Sequence, residues 1–166
     1  MNPITLLSNL GIPANLTQDI MLLLFAALAS FIYGTLIGRW RLMTVLINIY
    51  VAFAVVTVIP ASLVADYNLK LLIFFILIVG MTFFNKRFFD ISFSGSGTNY
   101  MLRVFAMSFL EIALVLSIAF SMVPKKVALG YLSINAYTYL LTGYDPLIWM
   151  VLPLVYMFFM YRKMHR

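Results

Sequence analysis

Apolar residues run almost unbroken through five stretches of this chain, 19–38, 42–64, 69–84, 101–123 and 146–161, and polar or basic residues collect in the short links between them. Within these stretches apolar and polar positions do not alternate, as they would in the roughly ten-residue strands of a membrane barrel. A helix satisfies its own backbone groups, and about 20 apolar residues carry one across a hydrocarbon core roughly 30 Å thick. The pattern therefore predicts an all-α membrane protein of five transmembrane helices, a four-helix core plus a C-terminal span, in a single integral membrane domain over 1–166. The third and fifth stretches are short, which implies less tilt, extension by a few flanking residues, or incomplete spanning.

The links carry the next layer of information. Gly38 to Arg41 and Asp66-Tyr67-Asn68 are tight turns, whereas Asn85 to Tyr100 holds the flexible sequence Ser94-Gly95-Ser96-Gly97. Residues 127–142 are too polar for a span, yet Leu129, Leu132, Ala136 and Leu140 fall at helical spacing. Such a segment either lies in the interface or re-enters the membrane. Tyr131, Tyr137, Tyr139 and Tyr144 suit an interfacial aromatic belt, Gly143 a helix stop, and Asp145-Pro146 a new helix start. A similar device opens the chain, where Asn2-Pro3 and Gly11 bracket a second interfacial segment over 3–10. There is no internal repeat, so an inverted-repeat transporter is not supported.

Basic residues set the orientation. Arg39, Arg41, Lys86, Arg87, Arg103, Arg162, Lys163 and Arg166 fall on one side of the five-span arrangement, and Lys70, Lys125 and Lys126 on the other. Cytoplasmic loops carry the excess of Lys and Arg, so the N-terminus is expected outside and the C-terminus inside. The run Ala27-Leu28-Ala29 imitates a signal-cleavage site, but no Lys or Arg precedes it and apolar sequence continues to Ile37. A secretory signal has a positive n-region, so a retained span is expected.

Composition agrees with the pattern. Hydrophobic residues make up 64% and charged residues 10%, against roughly 45–50% and 25% in soluble domains. A net charge of +6 would suit nucleic acid if it formed one basic face. Here it is dispersed at span ends, so the expected partners are the lipid bilayer and a membrane protein or a second copy of the chain, with no nucleic acid. The absence of cysteine excludes disulfides and thiolate chemistry.

Two constellations stand out inside the spans. Ala26, Ser30, Gly34 and Gly38 are four residues apart, a ridge of small side chains along which another backbone can approach closely. It serves either a homo-oligomer contact or packing against the second or fourth span. Glu111 lies halfway along the fourth stretch, where an ionisable group costs roughly 2.5–3.5 kcal/mol on insertion scales and normally has a partner. At 1.5 Å per residue, Glu111 is roughly 12 Å beyond Arg103 and Asn48 roughly 10 Å beyond Arg41. The two are at matching depth, so a protonated Glu111 donating to the Asn48 amide is the expected pairing. A stretched pairing with Arg103 and an ion- or proton-responsive carboxylate are the alternatives.

Signatures of membrane enzymes are missing. The lone histidine, His165, is in the basic tail, so no serine–histidine or histidine–metal site is expected within the bilayer. Asp19, Asp66, Asp90 and Asp145 all fall at span ends or in links, which argues against an aspartate dyad. Gly95-Ser96-Gly97 lacks the Walker lysine and preceding strand, and reads as a turn. No catalytic residue, metal or cofactor is expected.

Asp19 opens the first span, Gly38-Arg39-Trp40-Arg41 makes a tight turn into the second, and a Gly/Ser link over Ser94 to Thr98 precedes Arg103 of the fourth. This order of features, over about 19–123, resembles the colicin V production protein family of bacterial inner-membrane proteins. The resemblance implies a four-span core with its N-terminus outside and a link to export and the cell envelope. The fourth span here lacks the family's glycine-rich pattern, and residues 124–166 lie beyond the resemblance. The resulting expectation is a non-enzymatic, multi-pass inner-membrane protein acting as scaffold or partner subunit of an envelope or export assembly. The alternative is a small oligomeric channel or proton-coupled transporter component using Glu111 and Asn48.

Overall fold

In the computed structural model the described residues are 14–37, 41–60, 62–64, 66–84, 98–143 and 145–164, and they form seven helices and no strand. These are α1 (Ala14–Ile37), α2 (Leu42–Val58), α3 (Tyr67–Phe84), α4 (Thr98–Met122), α5 (Lys125–Tyr131), α6 (Ile134–Leu141) and α7 (Asp145–Met164). Tyr67–Phe84 and Met101–Met122 are each long and apolar enough to cross a membrane, and the bent pair of α6 and α7 would make a third span if counted as one. Asp19–Thr35 and Leu42–Val58 are apolar but shorter. The interfacial segment expected over 3–10, together with Gly38, Arg39, Lys86, Arg87 and Arg166, lies outside the described residues.

Helix α4 is the hub. It packs against α1 on one side and α7 on another, with further contacts to α2, α3 and α6, while α2 and α3 form a second close pair. The core lies where these helices meet, in Leu42, Leu46, Ile49, Ala52, Phe74, Met107, Leu114 and Ile118. Of the 18 residues of α3 only Phe74 is buried, and the face that carries Leu69, Leu72, Phe75, Ile76, Val79 and Phe83 is exposed among the described residues.

Local chemistry accounts for the element ends. Helix α2 stops at Val58, short of the end of the apolar run at Val64, since Pro60 follows immediately and disfavours helical geometry in the residue before it. Asp66 then opens α3, its Oδ1 accepting from the Asn68 backbone N at 3.0 Å. The segment over 125–141 is not one helix but two. Ser133 breaks it because its extended backbone and side-chain oxygen, which accepts from the Ala136 N at 3.0 Å, make it the N-cap of α6. Gly143, at φ 68°, follows the last turn of α6 in the left-handed conformation typical of helix ends, and α7 leaves at 60° to α6.

Helix α6 and its cap are tied to the bundle by hydrogen bonds. Ser133 Oγ donates to Asp19 Oδ1 of α1, Ser117 Oγ of α4 donates to the Leu140 carbonyl at 3.1 Å, and Trp149 Nε1 donates to the Tyr139 carbonyl at 3.0 Å. Pro153, fully buried inside α7, cannot donate to the carbonyl one turn earlier. In the same stretch the Met150 carbonyl accepts from the Tyr50 hydroxyl of α2, which ties α7 to the core.

Candidate functional site

Helical spacing places Ser30, Tyr33 and Gly34 on one face of α1, and Ser108 and Glu111 on one face of α4. These faces meet. Tyr33 Oη donates to Glu111 Oε2 at 2.7 Å, and a Cβ added to Gly34 would stand 2.7 Å from Ser108 Oγ and 3.5 Å from Val104 Cγ1. Glycine thus permits the close approach of α1 to α4 at this level. Ala26 and Ser30 of the same ridge are buried, and the Ser30 hydroxyl bonds back to the Ala26 carbonyl. Gly38, the fourth ridge residue, lies outside the described residues.

Glu111 is 1% exposed and Asn48 is equally buried. The hydrogen bonds recorded for them run to other residues: Tyr33 serves Glu111 Oε2, and Asn48 Nδ2 donates to Thr82 Oγ1 of α3 at 3.1 Å. Tyr33 and Thr82 are thus site residues that sequence reasoning did not identify. For Tyr33 the signal was present, since it lies three residues after Ser30 and beside Gly34 on the ridge face. For Thr82 there was none, because a single threonine near the end of an apolar helix ordinarily bonds to its own backbone. Among the described residues, Ser108 Oγ and Glu111 Oε1 are buried without a hydrogen-bond partner.

Beside Glu111 lies a cleft of about 540 Å³ between α2, α3 and α4. Val45 and Ile49 of α2, Phe75, Ile78, Val79 and Phe83 of α3, and Ile112, Val115 and Leu116 of α4 make its apolar walls. Tyr33, Thr82 and Glu111 are its polar wall groups, and Arg41, at the N-terminal end of α2, completes the lining. Phe75, Val79 and Phe83 are exposed, so the cleft opens along α3. Of the topology-setting basic residues, Arg41 is thus beside the cleft. The Arg103 carbonyl accepts from the Tyr156 hydroxyl at 3.4 Å, and Arg162 and Lys163 fall in the last turn of α7.

Among the described residues no three His, Asp or Glu side chains come together to hold a metal ion. The chemistry available in the cleft is that of one carboxyl, two hydroxyls and a guanidinium on an apolar surface. No protein-family model, curated protein or solved structure matches the chain.

Proposed function

We propose that the protein is the membrane component of a small, non-enzymatic transporter, with five spans in the inner membrane, its N-terminus outside and its C-terminus inside. The single observation that carries the transport reading is Glu111 Oε1, a buried carboxyl oxygen with no hydrogen-bond partner among the described residues, on a side chain that lines an open cleft. An intramembrane carboxyl group normally pairs or serves an ion or proton path, and here one of its two oxygens is uncommitted. The five-span arrangement rests on the apolar runs and on the eight-to-three division of basic residues. Helix α2, with 17 residues, would reach about 25 Å, within a few ångströms of what local thinning of the bilayer accommodates.

A second reading, scaffold or partner subunit of an envelope assembly, is favoured by α3. A span with one buried residue in 18 has ample surface for a neighbouring subunit, and the resemblance to the colicin V production family points the same way. Reconstitution into liposomes with an internal pH-sensitive dye separates the two. A proton flux above that of protein-free liposomes supports the transporter. A protein that leaves the gradient intact, yet co-purifies in mild detergent with a stoichiometric membrane partner, would replace it with the scaffold.

A further inference from the structure

We propose that the cleft between α2, α3 and α4 is a binding site for a lipophilic monovalent cation, with Glu111 as its counter-ion. Four observations converge on this ligand class. Glu111 is buried and its Oε1 accepts no hydrogen bond. The hydroxyl bonded to the carboxyl, Tyr33 Oη, is committed to Oε2, so Oε1 is the carboxyl atom left for a ligand, and in its ionised form it takes a donor or a positive charge. Tyr33, Phe75 and Phe83 line the cleft, and aromatic faces attract organic cations, more strongly once the cation is desolvated. The remaining walls are aliphatic, and the volume of about 540 Å³ lies in the range of roughly 300–1,000 Å³ that holds small-molecule ligands.

The opening along α3 sets the entry route. Phe75, Val79 and Phe83 are exposed on a helix that is otherwise almost unburied, so on the five-span reading the ligand enters from the bilayer, where only an amphiphilic cation accumulates. Arg41 is the one competing group. It lines the cleft and is exposed, and a lipid phosphate or another anion would select it rather than Glu111. A cation gains at Glu111 once the carboxyl gives up its proton and meets Arg41 only at an exposed position, where water screens it, whereas an anion would meet like charge on the ionised group.

The substrate class rests on the transport reading above, but binding does not require flux, so the two are tested separately. The probe is tetraphenylphosphonium, added to the purified full-length protein in mild detergent and followed by equilibrium dialysis. Saturable binding of one probe per chain is expected. Glu111→Gln, which can still accept from Tyr33, should melt like wild type and bind at least about tenfold more weakly, as loss of a charged partner implies. Glu111→Asp should keep part of the affinity. Val79→Trp, which fills the exposed side of the cleft while leaving the carboxyl intact, should also weaken binding. The proposal is overturned if Glu111→Gln binds as wild type does, if binding does not saturate, or if Arg41→Ala abolishes binding while Glu111→Gln spares it, the result an anionic ligand would give. Binding without proton flux in the dye assay overturns the transporter and leaves the site, while flux without binding does the reverse.

Discussion

Gly34→Ala adds one methyl group where the structure leaves no room for it. The new Cβ would stand 2.7 Å from Ser108 Oγ, whereas ordinary contact begins at 3.4 Å. Ser108 is completely buried, so relief requires either an off-rotamer hydroxyl, at about 0.5–1.5 kcal/mol, or separation of α1 from α4, at about 1–3 kcal/mol for overpacking. Alanine's helix propensity offsets up to about 1 kcal/mol of this. The net expectation is a loss of up to about 2 kcal/mol. Ser108→Ala removes the clashing oxygen and leaves neighbours at 3.5 Å, an ordinary contact. Because that hydroxyl has no hydrogen-bond partner, Ser108→Ala alone should cost nothing, and Gly34→Ala with Ser108→Ala should recover most of the loss. Reversible unfolding of the four proteins in mixed detergent micelles gives the coupling energy directly. If Gly34→Ala is equally stabilising or destabilising in the wild-type and Ser108→Ala backgrounds, so that the coupling energy is zero, the close approach of α1 to α4 at this level is wrong.

Three further outcomes follow from the same geometry. Glu111→Leu should lower stability by about 1–3 kcal/mol, because the Tyr33 hydroxyl loses its buried acceptor, while Glu111→Gln should stay within error of wild type in the same unfolding assay. Ser133→Ala removes both the cap of α6 and the bond to Asp19, so α6 amides should exchange faster by a factor corresponding to about 0.5–2 kcal/mol, with little change in the exchange of α4. The native chain has no cysteine, so Lys126→Cys in intact cells should react with a membrane-impermeant maleimide, and a reporter fused after Arg166 should be active only in the cytoplasm. Periplasmic activity of that fusion would replace five spans with four or six.

The helices themselves were legible because lipid imposes the simplest of patterns, an apolar run long enough to cross. The starts and stops around the outer segment were also legible where the chemistry is local, as at Gly143, and at Asp66 in the turn before α3. Ser133 escaped notice because Leu129, Leu132, Ala136 and Leu140 keep helical spacing straight through it, and only the backbone geometry reveals the break. Glu111 was visible by cost alone, since no apolar context tolerates a carboxyl without a reason. Its hydrogen-bonded neighbour was not. Depth counted along two helices gives a height in the membrane but no rotation about either axis, and rotation is what brings Tyr33 to Glu111 and Thr82 to Asn48. The ridge of Ala26, Ser30, Gly34 and Gly38 could serve another copy or another span for the same reason, and at Gly34 the neighbour is Ser108 of this chain.

The central claim is that the uncommitted oxygen of Glu111 does the protein's work rather than holding its fold. Its most direct test is proton flux in dye-loaded liposomes for wild type and Glu111→Gln, reconstituted at equal density after their unfolding transitions have been matched. The account predicts that Glu111→Gln folds and inserts as wild type does and reduces flux to that of protein-free liposomes. Undiminished flux from a well-folded Glu111→Gln protein would contradict it.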